Sequence, residues 1–140
     1  MRTVALFPGC LVLQRMPQYE KAAGRVLREV AVQVESIPQA ACCGAPLESF
    51  NDRWLHFAAY NLSLAERMGR DVVTLCGNCT NTFLRAGAAL ENSSLRLEVN
   101  RTLEGTGLSY EGGVEVRHLV QVLVEHLDEL RQKVSRELPI

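Results

Sequence analysis

No stretch of this sequence stays apolar long enough to cross a membrane, because Arg, Gln, Glu or Pro interrupts every candidate. The N-terminal Met-Arg-Thr-Val-Ala-Leu-Phe-Pro-Gly-Cys carries one positive charge and too short an apolar stretch for a signal peptide. No direct membrane insertion is expected, and a cytoplasmic setting, where thiols stay reduced, is. Charge of one sign is missing too: 15 Lys and Arg face 16 Asp and Glu, a net of −1. That leaves no broad basic field for nucleic acid. Internal repeats and low-complexity segments are absent. Cysteine lacks the even number that a closed disulfide framework needs, since there are five. Metal binding or redox chemistry explains them better.

What remains is an ordinary globular composition, 47% hydrophobic and 22% charged over 140 residues, enough for one domain with a real core. A single cysteine-rich domain is expected over residues 1–130, with a C-terminal tail or the start of a linker over 131–140. Three features punctuate it: Cys10, the adjacent pair Cys42-Cys43, and Cys76-Gly77-Asn78-Cys79. Neighbouring cysteines cannot share one face of a strand or a helix. Gly44 and Pro46 make their segment a loop, where two consecutive thiolates can converge.

The apolar pattern predicts a strand over 3–7 ended by Pro8-Gly9, and a helix opened by Pro17 that runs to about residue 30. A second strand lies around Val32 and Val34. Asn51-Asp52 caps a helix whose stripe Leu55, Ala58, Ala59, Leu62, Ala65 and Met68 ends at Gly69. A third strand over 71–75 runs straight into Cys76, and a helix carries Phe83, Leu84 and Leu90. Asn92 caps the next helix, with Leu95, Val99 and Leu103 inward. A fourth strand is expected over 114–116, then one last helix from Leu119 to Leu130.

Strands alternating with helices imply an α/β fold: a four-stranded, mainly parallel sheet with helices on both faces. Ligands of such sheets sit beyond the carboxyl ends of the strands. Each cysteine segment follows a strand, so all five cysteines are expected at that one end.

Zinc needs four ligands and usually two short paired spacings, whereas this chain has one Cys-x-x-Cys. His56 and His126 lie in helices at irregular spacing and read as surface or packing residues. A dithiol redox site would use only Cys76 and Cys79, their thiols activated by a helix N-terminus. It leaves three cysteines without a role. An iron–sulfur cluster accepts thiolates from several directions, including two adjacent residues on different irons. Gly9, Gly44 and Gly77 would let backbone approach it. Five ligands exceed the four of a cubane, so either one cysteine is spare or the cluster is not a cubane. His118, directly after the fourth strand, is a candidate hydrogen-bond or proton donor at that end, against a plain role at a helix start. Arg117 has weaker support, and Trp54 reads as packing.

The spacing C-x31-C-C-x32-C-x2-C resembles the CCG cysteine-rich domain, in particular the N-terminal half of the B-type subunit of heterodisulfide reductase. The likeness runs through Phe7-Pro8-Gly9-Cys10, Cys42-Cys43-Gly44-Ala45-Pro46, Asn61-Leu62-Ser63-Leu64-Ala65-Glu66, Asp71-Val72-Val73-Thr74-Leu75-Cys76 and Val116-Arg117-His118-Leu119. The resemblance implies a non-cubane [4Fe-4S] cluster held by Cys10, Cys42, Cys43, Cys76 and Cys79, and lost on exposure to air. It implies disulfide reduction or thiol redox electron transfer within an oxidoreductase complex. The partners implied are a ferredoxin-like iron–sulfur subunit, a flavin-containing subunit, and a second CCG domain or chain. An alternative is an electron-transfer module of a lactate or glycolate oxidase-type complex. Members carry two such domains and this chain has one, so it is not expected to complete a two-cluster reaction alone.

Overall fold

The computed structural model describes residues 2–134. Strand β1 (Arg2–Phe7) leads through Gly9 into a short helix α1 (Cys10–Arg15), and α2 (Pro17–Glu29) follows. Next come β2 (Val32–Ser36), a 3-10 turn at Ala45–Leu47, α3 (Arg53–Met68), β3 (Val72–Thr74) and α4 (Gly77–Ala89). The last described elements are α5 (Ser93–Leu103), β4 (Val116–His118), α6 (Leu119–Glu125) and α7 (Leu127–Lys133). The four strands form one sheet in the order β2-β1-β3-β4, every pair parallel.

Alternation along the strands divides the core between the two faces. Ala5, Phe7, Val72 and Val116 join Leu55, Leu62, Phe83, Val99 and Leu103 from α3, α4 and α5. Val4, Leu6, Val73 and Leu75 join Val12, Leu27, Leu119 and Val122 from α1, α2 and α6. Phe83 is buried and meets Phe7 edge-on, ring centroids 4.8 Å apart. The α/β architecture with both faces covered is the one read from the sequence.

Glycine and asparagine stop and start helices as expected: Gly69 closes α3 at φ 64°, and the Asn92 side chain accepts from Leu95 N–H to open α5. Three boundaries differ from expectation. Residues 10–15, given no element from the sequence, form α1. The fourth strand lies at Val116–His118, because it is Val116, Arg117 and His118 that align with Val72, Val73 and Thr74. The segment before it is held by side chains: Glu66 accepts from the N–H groups of Glu111, Gly112 and Gly113, and Asp71 accepts from that of Glu115. The last helix is two helices. At His126 (φ −108°, ψ 21°) the backbone leaves helical geometry, its N–H donates to Leu123 O, and α7 begins. Within the expected tail 131–140, α7 continues to Lys133, while 135–140 lie outside the described residues.

Candidate metal centre

In the sheet order the reversal falls between β1 and β3, the place where parallel sheets open a crevice beyond their carboxyl ends. Cys10 begins α1 just past β1, and Cys76 is the N-cap of α4 just past β3, with Cys79 in the first turn of α4. Cys42 and Cys43 arrive on the loop that follows β2. All five thiols are free; Cys10 is exposed, Cys42 and Cys76 are half-buried, and Cys43 and Cys79 are buried.

The thiols act on one another. Cys43 is influenced by Cys79 and Cys42, and Cys79 by Cys43 and Cys76. Cys10 acts on Cys42 through space. The bond from Cys79, with help from the Ala45 N–H, outweighs burial and brings the Cys43 thiol down to about 6. Cys79 moves the opposite way, held protonated by its bond to Cys43 and then by burial. Burial also pushes Cys42 up, against the N–H of Gly44. The two buried thiols thus shift in opposite directions, Cys43 toward the thiolate and Cys79 toward the thiol.

Two glycines shape the space around these thiols. Gly9 has φ +86°, and a Cβ on it would lie 3.2 Å from Cys79 Sγ and 3.4 Å from Cys76 Cβ. Gly44 has φ +97°, and its Cβ would fall 2.6 Å from the Trp54 carbonyl oxygen. Both positions need the left-handed region and the missing side chain together. The donor set is soft sulfur throughout, and among the described residues no three Cys, His, Asp or Glu side chains converge on a single-ion site. Cysteine sulfur of this kind is the donor chemistry of zinc and of iron–sulfur clusters.

Several residues hold the cysteine turns. Asn61, 1% exposed in α3, accepts from Ala41 N–H at 2.8 Å and donates to Cys42 O at 3.0 Å and Phe57 O at 2.9 Å. Thr80 donates to Cys76 O at 3.0 Å, and its hydroxyl lies 2.5 Å from that of Thr74 at the end of β3. Sequence reasoning gave Asn61 no role beyond its place in a motif, although an asparagine inside an apolar helix stripe was a signal for one. His118 ends β4 and caps α6: its Nδ1 accepts from Val120 N–H, and Gln121 Oε1 accepts from His118 N–H. That bond places the ring proton of neutral His118 on Nε2. Arg117 pairs with Glu125 and Glu115. His126 sits at the α6–α7 junction, 3.0 Å from Glu129, and the buried His56 Nδ1 has no partner among the described residues. None of the described helices is long and apolar enough to cross a membrane.

The sequence model of the CCG family, described as "Cysteine-rich domain", matches residues 4–84. The chain is 37% identical over 131 residues to the B-type subunit of the ferredoxin/F420H2-dependent CoB-CoM heterodisulfide reductase of Methanosarcina acetivorans, covering 91% of this chain and 44% of that protein. It is 32% identical over 136 residues to the 8-methylmenaquinol:fumarate reductase membrane anchor subunit of Wolinella succinogenes, covering 96% of this chain and 48% of that protein. The chain thus spans about half the length of the curated relatives it matches. A crystal structure of a hypothetical protein from Helicobacter pylori shares the fold, with a TM-score of 0.78 at 24% identity, over 89% of this chain and 25% of that one.

Proposed function

The chain belongs to the CCG cysteine-rich domain family, and from that premise we propose that it is an iron–sulfur domain of a heterodisulfide reductase-like complex. Cys10, Cys42, Cys43, Cys76 and Cys79 would hold a non-cubane [4Fe-4S] cluster. When bound, that group supplies one-electron transfer to or from a disulfide or thiol. The observation that carries the reading is that five free cysteines follow the carboxyl ends of three adjacent strands, β2, β1 and β3.

The protein's own residues prepare that site. The lowering of the Cys43 thiol favours its ligation, since a thiolate is the ligating form. Gly9 keeps a side chain away from Cys76 and Cys79, Gly44 lets the loop approach the Trp54 backbone, and Asn61 fixes the backbone that carries Cys42. The exposed end at Cys10 is where a disulfide or a redox partner has access. His118, with its proton on Nε2, is the proposed donor to a leaving thiolate. The proposed partners are a ferredoxin-like iron–sulfur subunit, a flavin-containing subunit, and a second CCG domain or chain. A cytoplasmic setting fits the reduced thiols.

A second reading is favoured by a different relative, the lactate utilization protein A of Bacillus pumilus, to which the chain is 36% identical over 84 residues, covering 58% of this chain and 34% of that protein. As an electron-transfer module of a lactate or glycolate oxidase-type complex, the chain would pass electrons without cleaving a disulfide. Anaerobic reconstitution followed by iron and sulfide analysis tests the shared premise. The expected result is bound iron and inorganic sulfide, with a paramagnetic signature that Cys43→Ser changes. No bound iron and sulfide, or an unchanged spectrum in Cys43→Ser, would overturn it. A spectral change on adding a disulfide to the loaded protein then supports the first reading, and its absence the second.

A further inference from the structure

The loop after Cys42-Cys43 and the helix carrying Cys79 come from distant parts of the chain, yet four side chains tie them together. Glu48, just past the 3-10 turn, has a side chain only 17% exposed. Its Oε1 accepts from the Thr82 hydroxyl at 2.6 Å, and Thr82 is 1% exposed in α4. Its Oε2 pairs with the Arg85 guanidinium one turn further along α4. Arg85 in turn lies over the Trp54 ring, 5.4 Å from its centroid. Trp54 closes the circuit, because its backbone is pressed against Gly44, beside Cys43.

Each contact in the circuit has a physical reason to be strong or directional. A carboxylate bonded to a hydroxyl and to a guanidinium makes charge-assisted bonds. A guanidinium over an indole ring within about 6 Å of its centroid is attracted by the ring's negative face. Glu48 and Thr82 are largely withdrawn from water, so losing either partner leaves a polar group unpaired. Nothing in the cysteine pattern requires these residues; they act on the cysteines only through the elements that carry them.

We infer that Glu48, Thr82, Arg85 and Trp54 form a clasp that sets the separation of the Cys42-Cys43 loop from the Cys76–Cys79 turn. Glu48 is its central positioning residue. The inference rests on the proposed cluster site for its meaning, but the clasp is testable without any cluster.

The test uses the full chain, reduced and free of metal, and follows alkylation of each cysteine by iodoacetamide with peptide mass spectrometry. Cys10 serves as the internal reference because it is exposed. Glu48→Gln keeps an acceptor for Thr82 but loses the charge that holds Arg85. It should raise labelling of Cys43 and Cys79 relative to Cys10 about tenfold. Arg85→Gln should do the same, and the double variant no more than either single one, since both break one circuit. Thr82→Ser, which retains the hydroxyl, should label as the parent does. Parent-like labelling in Glu48→Gln, equal acceleration at Cys10, or additive effects in the double variant would overturn the clasp. Reconstituted protein gives a second readout, with iron expected to pass to a chelator faster in Glu48→Gln than in the parent. If the parent binds no iron, the cluster reading fails while the labelling result still decides the clasp.

Discussion

The side-chain amide of Asn61 donates to the carbonyl of Cys42 at 3.0 Å, from a helix position that is 1% exposed. The same side chain accepts from Ala41 N–H, so one buried carboxamide fixes the backbone on both sides of the Ala41–Cys42 peptide bond. Asn61→Leu, close in size, would strand that N–H and the Cys42 carbonyl, whereas the Phe57 carbonyl keeps its partner within the helix. The expected cost is about 3 kcal/mol of unfolding free energy, read from urea denaturation. Asn61→Asp keeps the acceptor for Ala41 but loses the donor to Cys42 and Phe57, and should be destabilised as well. A parent-like stability for Asn61→Leu would mean that the loop does not need the clamp.

Gly44 and Gly69 both sit at positive φ, but only Gly44 is crowded. A methyl on Gly69 meets nothing within 4 Å, so Gly69→Ala should cost about 1 kcal/mol, for the backbone alone. Gly44→Ala adds a contact of 2.6 Å with the Trp54 carbonyl and should cost about 3 kcal/mol. Iron and sulfide binding should fall in Gly44→Ala and be kept in Gly69→Ala. Equal losses in the two variants would refute the close approach.

His118 caps α6 through Nδ1, so His118→Ala should lower stability by about 1 kcal/mol. Asparagine caps as well as any residue, and His118→Asn should recover most of that loss. The pair separates capping from chemistry. If loaded His118→Asn is as stable as the parent but slower toward a disulfide, the proton-donor role stands; an unchanged rate removes it.

Asp71 supplies the pH dependence. Burial pushes its carboxyl up, but hydrogen bonds from Arg2 and from the Glu115 N–H outweigh it and leave the group below its ordinary value of 3.8. A depressed carboxylate stabilises the fold fully above the unfolded value and loses that contribution as pH falls through the folded one. Asp71→Asn should therefore lower stability at pH 7 by about 1 kcal/mol or less, because the Arg2 pair is partly open to solvent. The gap between parent and variant should start to narrow below about pH 4 and go on narrowing as pH falls through the folded value. Thermal melts at pH 7 and pH 3 check it, and a gap no smaller at pH 3 than at pH 7 would contradict the assignment.

Much of this fold is legible in the sequence because its signals are local. A buried apolar run before Pro8-Gly9, a proline opening α2, Gly69 ending α3 and Asn92 capping α5 each act within a turn of themselves. The apolar pattern sets the fourth strand two residues early because its limits depend on β3, which aligns with Val116 to His118, and on Glu66 and Asp71 holding the preceding segment. The break at His126 lies inside an unbroken apolar stripe, where the pattern continues although the backbone does not. The five cysteines stand out by spacing and chemistry together. Asn61, Glu48 and Arg85 do not, since each acts on a loop or helix that only the tertiary fold brings near.

Helix α3 binds two loops, and the lengths of chain it closes differ. Asn61 joins residues 19 and 20 positions away, whereas Glu66 joins residues 45, 46 and 47 positions away. Closing a flexible loop costs about 0.6 kcal/mol more for each doubling of its length, so the nearer loop is the easier to close. Residues 41 and 42 are therefore expected to dock on α3 before residues 111–113 do. Variants in the Asn61 clamp should slow refolding, whereas variants at Glu66 should mainly speed unfolding. On that order the cysteine loop would be set in place while the far edge of the sheet is still forming.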